Sequence, residues 1–317
     1  MSRSAALPGV LVRTLENEHI RAEVSPSAGG KFLSLVNKAT ATEWILPPLR
    51  PYTATRTDGG FEQWDGGGFD ECLPTVAAAG NAPDHGELWR HAWREEPAGP
   101  GEHRLHAVVM SGCLAFARTA RLDGASLVLE YAIRNTGAAP LTLLYSAHPL
   151  LHVQPGDRIL LPAEVKHLAV EGSMPGGLGP QGTEVTWPVT AAGVNLSHVG
   201  PPDATQADKL FAGPLRQGWC ALLRPAGQEG IELRFDTAVL PYLGLWICRA
   251  AWPESGTAKQ YAVAFEPASA PTDSIAVAAR TRTAWILAPA ETRAWTLRFR
   301  VATQAQIEAA LIEENAR

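Results

Sequence analysis

Several things are scarce in this 317-residue chain. No apolar run reaches the ~18–20 residues that a membrane helix needs, and Met1–Pro8 lacks the apolar segment of a secretory signal. A soluble, cytoplasmic protein that does not engage membranes is expected. Basic residues are in deficit, 27 Lys and Arg against 32 Asp and Glu for a formal net charge of -5, and they form no stripe. Phosphate neutralisation needs clustered cations, so nucleic acid is a poor partner and a weakly charged small molecule a better one. The four cysteines, Cys72, Cys113, Cys220 and Cys248, are far apart and include no C-x-x-C pair. This argues against a structural zinc site and a dense disulfide framework, leaving reduced, mostly buried thiols. No internal repeat or Gly/Ser linker appears, so a single domain over residues 1–317 is expected.

Long helical periodicity is also nearly missing. In its place, 29 glycines and 25 prolines punctuate short β-rich runs. Val10–Leu15, His19–Val24 and a turn-to-strand segment Gly29–Val36 open the series. A meander follows over His103–Met110, Cys113–Leu122, Ser126–Arg134 and Leu141–Tyr145, with turns at Asp123-Gly124 and Asn135-Thr136-Gly137. Further strands are expected at Trp219–Leu223, Ile231–Asp236, Tyr242–Arg249, Gln260–Phe265, Ala284–Leu287 and Arg293–Val301. Glu95–Gly101 and the long, Pro/Gly-bearing Gly172–Pro214 read as surface excursions. Only the tail looks helical: Thr303 can cap it, Gln306 stands at the capping-box position, and Ile307, Ala310 and Leu311 form its apolar side. The pattern predicts an all-β antiparallel sandwich or barrel with a short C-terminal helix.

Four polar clusters interrupt this β grammar. In Leu141–Val153, an apolar strand breaks at His148-Pro149, and proline restricts the residue before it. His148 is thus expected at a strand end, where it can donate or accept a proton near neutral pH. In Trp64–Thr75, three consecutive glycines let the backbone come close to something, and Asp70 and Glu71 can accept hydrogen bonds from hydroxyl groups. No Lys-Ser/Thr follows, so this is not a phosphate loop. In Asn81–Trp89, His85 lies in a polar turn with Trp89 close by, a histidine beside an aromatic platform that suits the C–H face of a sugar. In Tyr261–Asp273, Glu266 closes an apolar strand before Pro267. Partial desolvation there raises a carboxylate pKa towards that of a general base.

The ordered set Gly67-Gly-Phe-Asp-Glu-Cys-Leu-Pro74, Asp84-His-Gly-Glu-Leu-Trp89, Ser146-Ala-His-Pro149 and Phe265-Glu-Pro-Ala-Ser-Ala-Pro-Thr-Asp273 resembles the aldose 1-epimerase (galactose mutarotase-like) family. Gly29–Leu35 and Ala288–Leu297 are similar to its opening and closing strands, so the resemblance spans about residues 15–301. It implies a large β-sandwich with a sugar cleft on one concave face. By this resemblance Glu266 matches the general base, His148 the general acid and His85 the second histidine, which polarises the sugar oxygens. Asp70 and Glu71 become sugar contacts, Trp246 an aromatic at the cleft, and Arg249 and Arg56 further substrate-binding candidates. The chain departs from galactose mutarotases where Pro149-Leu150-Leu151 replaces an aromatic pair, and in the arginine-bearing segment ahead of the first histidine, which has no clean equivalent; Arg56 is put forward in its place.

The implied activity is cofactor-free interconversion of the α and β anomers of a hexose or related sugar by acid/base ring opening, in a monomer or homodimer. The alternative is a non-catalytic carbohydrate-binding or sensing module on the same scaffold. A sugar-phosphate epimerase requires two or more arginines at the cleft, and Asp70-Glu71 speaks against it.

Overall fold

Strict alternation organises the sheets. In Leu114–Asp123, Leu114, Phe116, Arg118 and Ala120 are buried while Ala115, Ala117 and Thr119 are partly exposed, the period-two signature of a half-buried strand. The computed structural model describes residues 9–54 and 59–315. It pairs this strand with Glu102–Val109 and Ser126–Asn135, three members of the expected meander; the fourth departs from it, with Leu141–Leu143 pairing Trp285–Leu287 in a separate two-stranded sheet. The tight reversal puts Asp123 opposite Ser126, with Gly124 at φ 55°.

The meander lies in an eight-stranded antiparallel sheet. Its order is Arg158–Leu160, Trp219–Arg224, Glu229–Phe235, Thr292–Thr303, Ser126–Asn135, Leu114–Asp123, Glu102–Val109 and Arg94–Glu96. The larger sheet has eleven strands. It begins with Arg13–Glu16, Ile20–Ser25 and Lys31–Asn37, the last also pairing Thr42–Glu43. It continues through Phe69–Cys72, Ser146–His152, Tyr261–Ala268, Tyr242–Arg249, Gln206–Ala212, His167–Met174 and Glu184–Thr186. Phe32, Phe69, Val263 and Phe265 from this sheet share one core with Phe116, Leu129, Leu297 and Phe299 from the other. The architecture is the expected antiparallel sandwich.

The C-terminal helix, Gln304–Asn315, starts with the capping box: the Thr303 amide donates to Gln306 Oε1 at 3.0 Å, and the Gln306 amide to Thr303 Oγ1 at 3.3 Å. Ile307 and Leu311 pack it onto Trp219, Ala221 and Leu223. All four cysteines are free thiols, and three of them are buried. No described helix is long and apolar enough to cross a membrane.

Three local expectations need correcting. The sequence reads Gly172–Pro214 as surface excursions, yet Gln206–Ala212 is an inner strand of the large sheet, paired on both sides. A second helix, Ile275–Thr281, is capped by Ser274, whose hydroxyl accepts from the Val277 amide. His148 is not at a strand end: Ser146–His152 runs straight through His148-Pro149. The strand keeps its register with Phe69–Cys72 over residues 146–149, while it pairs with Tyr261–Ala268 at Ser146 and again from Leu150 to His152. A proline without an N–H is tolerated where one ladder is already interrupted.

Candidate active site

Side-chain alternation sorts the central strands into two faces. On Tyr261–Ala268, Val263 and Phe265 point into the core, while Ala262 and Ala264 pack on the outer face with Leu46 and Leu150. Glu266 continues that outer row. On Ser146–His152 the same parity puts Ser146, His148 and Leu150 outward, so His148 and Glu266 come from adjacent strands. His148 Nε2 lies 3.9 Å from Glu266 Oε1. Both open onto a cavity of about 160 Å³, also lined by Phe61, Asp84, His85, Lys209, Trp246, Trp252, Gln260 and Asp273. Four of the sequence candidates, His85, His148, Trp246 and Glu266, thus share one cavity.

His85 reaches it on a strained turn. Its φ is 60°, a left-handed value that non-glycine residues seldom adopt. Its ring stacks on Phe61 with centroids 3.6 Å apart and planes 9° apart, and meets the His148 ring edge-on at 5.0 Å. Asp84 Oδ2 lies 3.1 Å from His85 Nδ1. Burial opposes ionisation of Asp84, yet the bonds to His85 hold its pKa below the usual range.

Glu266 is fully buried, which pushes its pKa up against the opposing pull of Lys209. Lys209 Nζ contacts Glu266 Oε2 and stands 3.3 Å from Asp273 Oδ1. Burial would lower the lysine pKa, but Asp273 and Glu266 more than reverse that and keep it charged. The other carboxylate oxygen, Glu266 Oε1, has no hydrogen-bond partner and is the one facing His148. His148 is displaced oppositely: burial, then His85, Lys209 and Lys31, hold its pKa well below the normal imidazole value.

The remaining candidates divide. Trp246 lines the cavity and donates to Gln260 Oε1 at 3.2 Å. Trp89 is a correction, being buried behind the wall. Its indole donates to the Asp84 carbonyl at 3.0 Å and it meets Phe61 and Trp64 edge-on, so it supports the platform without being it. Arg249 has the opposite strand parity to Trp246 and bonds Gln206 Oε1, away from the cavity wall. Glu71 turns inward and is no sugar contact: it accepts from Arg118 at 2.8 Å, Tyr131 at 2.8 Å and Tyr145 at 2.7 Å in the core. Arg56 lies outside the described residues.

Asp70 is the cross-strand neighbour of His148 but is completely buried and outside the cavity wall. It pairs with Lys31 at 2.9 Å, and Lys31 also binds Asp65 at 2.6 Å. The glycines before it are required by this chain's own packing. A Cβ at Gly67 would meet Pro48 Cα at 2.7 Å, and one at Gly68 would meet Lys31 Cδ at 2.7 Å. Burial raises the Asp70 pKa from 3.8 to about 6 despite Lys31. The folded state therefore holds this proton more tightly than the unfolded chain, and an ionisation penalty develops as pH rises between those values. Asp70→Asn is expected to stabilise the fold by up to about 3 kcal/mol above pH ~7 and to be neutral below pH ~4. Urea unfolding at both pH values checks this, and an equal effect at both would contradict it.

Sequence reasoning missed Lys209, Phe61, Trp252 and Gln260, and quoted Asp273 without giving it a role. A larger concavity of about 1000 Å³ on the same sheet, lined by residues such as Glu23, Glu43 and His152, contains none of the candidates. Function is better sought where His85, His148, Glu266 and the aromatic walls converge. Among the described residues, no three His, Cys, Asp or Glu side chains are grouped as metal ligands.

No protein-family model and no curated protein matches the chain. Solved structures do. A provisionally assigned aldose 1-epimerase from Klebsiella pneumoniae superposes with a TM-score of 0.73 at 17% identity, over 97% of this chain and 83% of that one. A galactose mutarotase related enzyme from Lactobacillus acidophilus gives 0.64 at 12% identity, over 93% and 98%. A galactose mutarotase-like protein from Lactobacillus casei gives 0.59 at 16%, over 92% and 100%. At these identities the likeness is one of fold: the chain has the galactose mutarotase-like β-sandwich.

Proposed function

We propose that this mutarotase-fold protein is an aldose 1-epimerase-like isomerase, opening and reclosing the ring of a free aldose. The observation that carries the reading is the 3.9 Å gap between His148 Nε2 and the unpartnered Glu266 Oε1. Ring opening exchanges protons at two oxygens bonded to one carbon, so its acid and base must stand close together. Glu266 takes the proton of the anomeric hydroxyl, His148 protonates the ring oxygen, and the C1–O5 bond breaks to give the aldehyde. Rotation about C1–C2 and reclosure with the proton transfers reversed yield the other anomer. His85, held flat against Phe61, polarises a sugar oxygen as charge develops. Trp246, Trp252 and Phe61 offer the apolar walls. Lys209 is the one lysine or arginine on the described wall, and two carboxylates already engage it. That disfavours a sugar phosphate.

The opposed pKa shifts of Glu266 and His148 fit a pair that works with one shared proton. Glu266⁻ with imidazolium and Glu266–COOH with neutral imidazole have the same proton count, and the apparent pKa values belong to the pair. A bell-shaped profile of kcat/KM against pH is expected: a second proton quenches the base at low pH, and loss of the first removes the acid at high pH. His148→Asn is expected to abolish the alkaline limb and lower the rate ~10²-fold or more. An unchanged alkaline limb would remove His148 from the acid role.

The reaction is tested by polarimetry. Purified protein added to fresh α-D-glucose or α-D-galactose is expected to accelerate relaxation to the anomeric equilibrium. Binding by calorimetry with no acceleration over a panel of aldoses would instead favour a carbohydrate-binding module.

A further inference from the structure

The outer face carries three polar groups in a row across neighbouring strands. His148 lies on Ser146–His152, Glu266 on the adjacent Tyr261–Ala268, and Lys209 on Gln206–Ala212, one strand further beyond Tyr242–Arg249. Glycine makes the last reach feasible. Gly244 stands opposite Glu266 on the intervening strand, and a Cβ there would come within 3.1 Å of Glu266 Cβ and 3.2 Å of the Phe211 ring. With that position bare, Lys209, opposite Trp246 in the next outward row, crosses to Glu266 Oε2. The base is thereby flanked by the acid on one side and the ammonium on the other.

An aldose ring has the same order of groups about its anomeric centre. C1 bears O1, with O5 to one side and C2 with its hydroxyl to the other. If O1 sits at Glu266 Oε1 and O5 faces His148, C2 turns towards Lys209. The ammonium has three N–H donors. Glu266 Oε2 accepts one, and Asp273 Oδ1 stands 3.3 Å away as an ion-pair partner without a hydrogen bond, so donor capacity is left for the cavity that Lys209 and Asp273 both line. A hydroxyl donates and accepts at once, and Asp273 Oδ1 is buried without a well-formed hydrogen bond. The lysine–aspartate pair is therefore complementary to one hydroxyl that accepts from Lys209 and donates to Asp273.

We propose that Lys209, with Asp273, recognises the hydroxyl at C2, so that the substrates are 2-hydroxyaldoses and their 2-deoxy counterparts are rejected. This rests on the aldose 1-epimerase reading, and it makes Lys209 a specificity-determining residue distinct from the acid and the base.

The test compares kcat/KM for D-glucose with 2-deoxy-D-glucose, and D-galactose with 2-deoxy-D-galactose, after subtracting spontaneous mutarotation. The wild-type protein is expected to prefer the 2-hydroxy sugar by about ten- to hundredfold, the range of one charge-assisted hydrogen bond. Lys209→Met and Lys209→Gln are expected to slow both sugars and to bring the ratio within about threefold of unity. Lys209→Arg, which keeps the charge and donors, is expected to retain most of it. A wild-type ratio near unity overturns the inference while leaving the epimerase reading intact, and needs no variant to fold. A ratio that survives in both the Met and Gln variants overturns it equally. If the wild-type protein accelerates no aldose, the epimerase reading fails and the inference falls with it.

Discussion

Glu266→Gln is expected to remove the acceleration of mutarotation by about 10²–10⁴-fold, the share a positioned general base supplies. The substitution is nearly isosteric, and the surroundings favour retention of the fold. Lys209 keeps Asp273 as a counter-ion at 3.3 Å, and the side chain loses a buried charge whose ionisation burial already disfavours. The amide cannot take a proton from O1, so kcat falls while KM moves by only a few-fold, because the walls and His85 are untouched. Polarimetry with the variant at saturating sugar, beside calorimetric sugar binding, separates these terms. Activity within threefold of the wild-type value would remove Glu266 from the base role.

The second large effect lies in the core. Arg118 and Glu71 come from opposite sheets, and each is about 1% exposed. The guanidinium donates to Glu71 Oε1 at 2.8 Å and to the Gly30 carbonyl, and stacks over Phe32 and Trp93 at 4.5 and 4.8 Å. Two tyrosine hydroxyls, donating to Oε1 and Oε2, complete the set of donors around Glu71. Arg118→Met strands the carboxylate in a desolvated core and is expected to cost about 3–5 kcal/mol. Adding Glu71→Gln to that variant removes the stranded charge and is expected to recover a substantial part of the loss. Urea denaturation of the wild type and both variants reads these differences directly. A single-variant loss below ~1 kcal/mol would mean that the pair does not clamp the sheets as its geometry indicates.

Glu71 illustrates how strand parity limits sequence reading. Asp70 and Glu71 are adjacent and equally acidic, and the sequence offers both as sugar contacts. In a strand, successive side chains point to opposite faces, so at most one of them can face the cleft side. Glu71 enters the inter-sheet core and Asp70 is buried under the cleft face with Lys31. Trp89 and Arg249 went astray for related reasons. An indole in a polar turn can be the surface of a platform or its support, and a residue three places from Trp246 on a strand faces away from it.

Strand grammar, turn residues and the capping-box tail were legible because each depends on neighbours within a few positions. The sequence by itself determined an antiparallel sandwich, free thiols, and His85, His148 and Glu266 as the candidate proton-handling set. Tertiary structure decided which groups meet them. Lys209 lies in a segment whose glycines and prolines read as loop, and 57 residues separate it from Glu266. Its strand exists because Tyr242–Arg249 and His167–Met174 supply backbone partners on its two sides. Long-range pairing of this kind leaves no local periodicity to read. It nonetheless sets the charge beside the base and, with it, the proposed choice of sugar.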